Sequence, residues 1–291
     1  MITITEHTDH ESLREVLQHP LPETHNVALW WLGQAGFAVK YGKMLLLIDP
    51  YLSDFLAKKY KGQEFPHIRM MPTPILPEEV RNVTLVLGTH RHSDHSDPET
   101  LPIVSQNNPQ CVFVVPRAEQ EAVIQLGIPE HRLRLLNAGE SFSLAKDIMI
   151  EAIPAAHEEL KVNAKGEHHY LGYILTLGEI TIYHSGDCCP YAGLEDELKK
   201  RAIDLALLPM NGRDDYRRSR NILGNFTLTE AVDLCKQANI PMMIGHHFGM
   251  FDFNTVRVEE AERELDRLRG DKHYFLVKPG WKYLLTFRNS V

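Results

Sequence analysis

The sequence predicts an α/β fold, two sheets face to face with helices on the outside, and three observations carry that reading. Short apolar runs bounded by Gly, Pro, Asn or Asp alternate with helix-like segments in two successive waves. No linker, low-complexity stretch or evident repeat divides the waves, so residues 1–291 read as a single domain. With 291 residues and 43% hydrophobic content, the chain can bury the core that such a sandwich needs.

The elements follow in order. A helix is expected around residues 11–18, and then VALWWLG, GFAVKYG and MLLLIDP are short strands split by Gly-containing turns, the pattern of an antiparallel meander. Residues 66–77 are rich in proline without periodicity and read as a loop before the strand NVTLVLGTH. Asp97 as N-cap and Pro98 as first helical residue open SDPETLPIVSQ. Strand CVFVV, helix RAEQEAVIQLG and strand DIMIEAIPAAH complete the first wave. The second begins with LGYILTLG and ITIYHSGD, a hairpin turning at Gly178. Helix GLEDELKKRA, strand IDLALLPM and helix LTEAVDLCKQA come next, the last opened by a capping box of Thr227 and Glu230. Strand IPMMIGHH and a helix around Glu259 to Arg269 close the pattern.

Composition narrows the function. A formal net charge of −8 argues against a protein that grips nucleic acid by neutralising phosphates, and favours a small-molecule substrate. The opening MITITEHTDHESLREVL has no basic segment followed by an apolar one, and no stretch approaches ~18 consecutive apolar residues, so a cytoplasmic protein without a membrane span is expected. The cysteines Cys111, Cys188, Cys189 and Cys235 lack CxxC spacing, which suits reduced thiols in a reducing compartment.

The densest chemistry lies in LVLGTHRHSDHSDP, where His90, His92, Asp94 and His95 follow an apolar run. Imidazole and carboxylate are the ligands that borderline divalent metals prefer, and catalytic sites collect them at strand ends. Alternate residues of an extended chain face the same way, so His90 and His92 can share one metal while Asp94 and His95 serve a second. A polar loop with surface histidines is the plainer alternative, and four such residues in six positions argue against it.

HRHSDH matches the HxHxDH signature of the metallo-β-lactamase superfamily, and the chain resembles that family along most of its length. IPAAH ends at His157, IYHSGD at Asp187, and MMIGHH offers His246, each after an apolar run. The resemblance implies a four-layer αββα sandwich and a divalent metal, two ions per chain, manganese or zinc. It implies one ion held by His90, His92 and His157, another by Asp94, His95 and His246, and Asp187 bridging them. It also implies that Asp49 orients a ligand histidine. In the hydrolysis so expected, Asp94 holds or shuttles the proton that the leaving oxygen requires, and His247 is a candidate to donate to the oxyanion or leaving group, with a place behind the ligands or a merely packed one equally open. His184 reads as structural. ALWWLGQAG, RMMPTPILP, YHSGD and GHHFGMF further resemble the branch containing L-ascorbate-6-phosphate lactonase, a cytoplasmic manganese enzyme. That branch implies a hydrolase opening a sugar-acid lactone with a metal-activated hydroxide. Arg213, Arg217, Arg218 and Arg220 are then candidates to clamp an anionic or phosphorylated substrate, and His168 and His169 to overhang it, although solvated surface positions account for both groups as well. The competing functions are a phosphodiesterase or nuclease of the same fold and a metal-stabilised binding module without turnover. A homo-oligomer is compatible with the sequence.

Overall fold

The structure is a computed structural model that describes residues 2–8, 11–21, 23 and 25–287. It opens on a strand, β1 (Ile2–Thr8), which pairs antiparallel with the last strand, β17 (Trp281–Phe287). These two join β2 (Val27–Gly33), β3 (Gly36–Tyr41), β4 (Met44–Ile48), β5 (Val83–Leu87), β6 (Val112–Pro116) and β7 (Leu133–Leu136) in an eight-stranded sheet ordered β1-β17-β2-β3-β4-β5-β6-β7. The second sheet has seven strands: β8 (Ser141–Ala145), β9 (Ile148–Pro154), β12 (Leu171–Leu177), β13 (Ile180–His184), β14 (Leu205–Pro209), β15 (Met242–His246) and β16 (His273–Leu276). Its order is β16-β15-β14-β13-β12-β9-β8. A two-stranded hairpin, β10 (Ala156–His157) with β11 (Glu159–Leu160), stands apart.

Alternation along β2 shows how the layers form. Val27, Leu29 and Trp31 join the core that both sheets share, whereas Ala28, Trp30 and Leu32 pack with Leu101, Val104 and Val123 from the helices Leu101–Asn107 and Gln120–Gln125. The second sheet carries the helices Leu194–Lys199 and Leu228–Gln237, whose Leu194, Leu198, Leu228 and Val232 belong to one apolar cluster with that sheet's strands. The result is an αββα sandwich. With both faces covered, VALWWLG is buried from end to end and reads as a continuous apolar run.

Three sequence expectations change. β9 belongs to the second sheet, although its sequence ended the first wave, and β1 and β17 add an edge that sequence analysis did not assign. Asp97 does not cap the helix Leu101–Asn107, whose N-cap is Thr100. Its buried carboxylate instead accepts from Glu99 N, Thr100 Oγ1 and both N and Oγ of Ser53, closing the turn behind the histidines.

The strands that position the site run parallel, β4 with β5 and β6, and β13 with β14 and β15. Their carboxyl ends lie where the chain delivers Asp49, His90, Asp187 and His247, the usual location of ligand sites in such sheets. Among the described residues, no helix is long and apolar enough to cross a membrane.

Candidate metal centre

Three overlapping triads of side chains bring ligand atoms within 4.8 Å of one another: His90, His92 and His157; His90, His95 and Asp187; Asp94, His95 and His247. Asp187 lies between the outer two. Its Oδ1 is 3.1 Å from His247 Nε2 and 3.3 Å from His95 Nε2, and its Oδ2 is 3.6 Å from His157 Nε2. The cluster is nearly closed to solvent, with His95 at 0% and His90 and His247 at 2% exposure.

Asp49 sets the orientation of two of these imidazoles. Its Oδ2 accepts from His95 Nδ1 at 2.7 Å and from Thr89 Oγ1 at 2.6 Å. Since the threonine hydroxyl donates to Asp49, its oxygen accepts from His90 Nδ1 at 3.0 Å. Both rings therefore carry a proton on Nδ1, which leaves Nε2 as the atom that faces the cluster and would take a metal. Thr89 N also donates to the Asp49 carboxylate, so one residue ties the ends of β4 and β5 together.

Backbone strain collects here. Gln34, Asp49, Glu158 and His247 have φ of 48°, 41°, 67° and 66°, in the left-handed region that non-glycine residues seldom occupy. Gly186, with φ 61°, precedes Asp187 where an added Cβ would lie 2.9 Å from Leu171 O and from Thr89 Cβ. Only glycine lets the chain pass there and turn Asp187 into the cluster.

At the last histidine the structure brings His247, and not His246, to the cluster. Sequence analysis assigned the position to His246, at the end of β15. His246 instead points into the core, 0% exposed, stacked on His184 at 5.3 Å and edge-on to Phe37 at 5.3 Å. The left-handed turn at His247 swings that ring to Asp94 and Asp187, and His247 N is held by Gln34 O. His184 is structural in its contacts, its Nε2 donating to Ala35 O and its Nδ1 accepting from Gly186 N.

Electrostatics divide the cluster. Burial, reinforced by neighbouring imidazoles, holds His90 well below its ordinary pKa and brings His92 down to about 4. Burial opposes charge on His95 and His247 as well, but the carboxylates around them outweigh it and raise both. Asp187 is held well below the usual carboxylate range because His247 and His95 outweigh its burial. Three carboxylates, Asp49, Asp94 and Asp187, thus draw positive charge into a closed space. His90 Nε2, His95 Nε2, His247 Nε2 and Asp187 Oδ1 are buried without a well-formed hydrogen bond. Such orphaned nitrogen and oxygen atoms are costly unless a cation takes them, and the set suits a divalent metal.

The cluster opens into a cavity of about 710 Å³, lined at its floor by His92, Asp94, His157, Asp187 and His247. Gln34, which sequence analysis did not single out, donates from Nε2 to Asp94 Oδ2 at 3.0 Å and fixes that carboxylate. The arginine cluster does not assemble as a clamp. Arg213 is doubly paired with Glu230, Arg217 with Asp214 and Asn254, and Arg218 with Glu158 and Asp215. Arg220 alone of the four lines the cavity, where Glu64 engages its Nε. His168 bonds Asn137 and His169 bonds Glu119, and neither lines the cavity.

Sandwich and site together define a metal-dependent hydrolase of the metallo-β-lactamase superfamily. The family profile described as the beta-lactamase superfamily domain matches residues 45–248, and the chain belongs to that family. It is 29% identical over 252 residues to a UPF0173 metal-dependent hydrolase of Pyrobaculum aerophilum, covering 86% of this chain and 96% of that one. It is 23% identical over 305 residues to an Escherichia coli protein described as a probable L-ascorbate-6-phosphate lactonase, covering 93% and 84% respectively. Among solved structures, the metallo hydrolase Igni18 of Ignicoccus hospitalis superposes with a TM-score of 0.67 at 20% identity, covering 90% of this chain and all of that one.

Proposed function

We propose that the protein is a lactonase working with two divalent ions, manganese or zinc, in a single domain. The observation that carries the reading is the pair of outer triads with Asp187 within 3.6 Å of a histidine in each. His90, His92 and His157 would hold one ion, Asp94, His95 and His247 the other, and Asp187 would reach both. Two such ions supply hydroxide near neutral pH and a Lewis acid for a carbonyl. Asp94, fixed by Gln34 and lining the cavity, holds the proton taken from water and returns it to the leaving oxygen. Asp49 and Thr89 keep His90 and His95 in the tautomer that binds metal. No cysteine nucleophile competes, since Cys188 and Cys189 are buried and burial raises both thiol pKa values.

The lactone class is supported by the likeness to the E. coli protein, and the acidic chain suits a small substrate better than a nucleic acid. The pairing of Arg213, Arg217 and Arg218 with carboxylates favours a substrate without a phosphate bound at that cluster. A screen of the metal-loaded protein against lactones, phosphodiesters and β-lactams tests the reading. Lactone opening at catalytic rates supports it, and turnover confined to the other two classes overturns it.

A further inference from the structure

The cavity that contains the metal cluster has a second patch in its lining. Tyr60, Phe65, His67, Phe251 and Phe253 all face it. They form one continuous aromatic surface: His67 stacks on Tyr60 at 4.3 Å and meets Phe253 edge-on at 4.6 Å, Phe65 lies 4.9 Å from Phe253, and Phe251 and Phe253 are parallel at 5.9 Å. The surface is a seam between two loops, pinned by the bond from Met70 N to Met250 O, and one of these loops leaves directly from His247. His67 adopts φ 53°, and its Nδ1 donates to Phe65 O at 2.6 Å, so a non-glycine residue is held in a strained turn that keeps its ring in the stack. Lys59 also lines the cavity. Its Nζ lies 5.1 Å from the Tyr60 ring, and no carboxylate pairs with it among the described residues.

We propose that this surface is an aryl subsite: it takes a flat aromatic ring of the substrate by stacking, while Lys59 meets a negative charge carried by that ring. The inference rests on the reading of this cavity as the substrate site and names the substrate class as an anionic aryl-bearing lactone in place of a sugar-acid lactone. Two loops could be joined by any apolar side chains, whereas five rings lining one cavity, with a cation at their edge that no carboxylate pairs among the described residues, match the face and the charge of an aromatic anion. A cavity of about 710 Å³ has room for such a ring beside the reacting carbonyl.

The test is calorimetry on the metal-loaded protein with three probes that contain no hydrolysable bond: 2-naphthalenesulfonate, cyclohexanesulfonate and 2-naphthalenemethanol. The naphthalenesulfonate should bind at least about fivefold more tightly than either of the others, since each lacks the ring face or the charge. Phe253→Leu, which keeps apolar volume, should weaken the naphthalenesulfonate about fivefold or more, and Lys59→Met should weaken it without affecting the alcohol. Equal binding of the aryl and cyclohexyl sulfonates, or unchanged binding in both variants, overturns the subsite. Because the probes cannot be hydrolysed, their binding is independent of turnover. Naphthalenesulfonate binding without lactone opening would sink the lactonase and leave the subsite standing, and turnover of alkyl lactones unaffected by the probe would do the reverse.

Discussion

His246 packs against His184 and Phe37 while His247 faces Asp187, so two neighbouring rings part company across one peptide bond. His247→Ala should remove about one equivalent of metal per chain, measured by elemental analysis, because its Nε2 is aimed between Asp187 and Asp94 in the cluster. His246→Ala should keep the metal and cost about 2–4 kcal/mol in urea unfolding, as a buried ring lost from between His184 and Phe37. Thr89→Val removes the relay from His90 to Asp49 and should weaken metal binding about 10- to 100-fold in a chelator competition, with the fold retained. An unchanged affinity would show that the tautomer is set elsewhere. The composition of the site was legible because HRHSDH concentrates imidazole and carboxylate after an apolar strand. The choice between His246 and His247 was not, since it depends on a positive φ that alternation along a strand cannot foresee. Gln34 and Thr89 were hidden for a similar reason: neither is a metal ligand by type, and their roles exist only once β5 lies beside β4 and the Gln34 turn reaches Asp94.

At the scale of elements, the runs buried on both faces were the readable ones. VALWWLG, MLLLIDP, TLVLG and ITIYH stand out by continuous apolarity, and the capping box at Thr227 marks its helix. The edge pair β1 and β17 was missed because each alternates weakly and their pairing spans the whole chain. Asp97 shows that a good capping residue can be captured by a neighbouring turn. Strand β3 also carries Lys40, 2% exposed, whose amine donates to Val16 O and whose pKa burial depresses to about 8 from 10.5. Between these values the unfolded chain holds the proton that the folded chain has released, so this group adds stability as pH rises through the window. The stability of wild type relative to Lys40→Met should therefore increase from pH 8 to about 10 in paired urea titrations, and be flat below pH 7. A constant difference across the range would show that the amine titrates normally.

On the scale of the molecule, the sandwich acts by bringing the carboxyl ends of two parallel strand groups to one edge, so that residues from Asp49 to His247 share a site. That architecture followed from two waves of strands and helices with no break between them. The return of β17 to the first sheet did not, because nothing local in that strand names its sheet. The gathering of Asp49, Asp94 and Asp187, the first and last of them buried, around five imidazoles makes the centre a place where the fold has a stake in bound cations, and the chelated protein should unfold at lower temperature than the loaded one. The central claim is that this cluster holds two divalent ions and that hydrolysis depends on them. It is tested most directly by measuring metal content and hydrolytic activity on the same preparations of wild type and Asp187→Ala. The account predicts about two equivalents per chain in wild type, activity lost with chelator and restored by manganese or zinc, and loss of both equivalents together in Asp187→Ala. Full activity in wild type stripped of metal would contradict it.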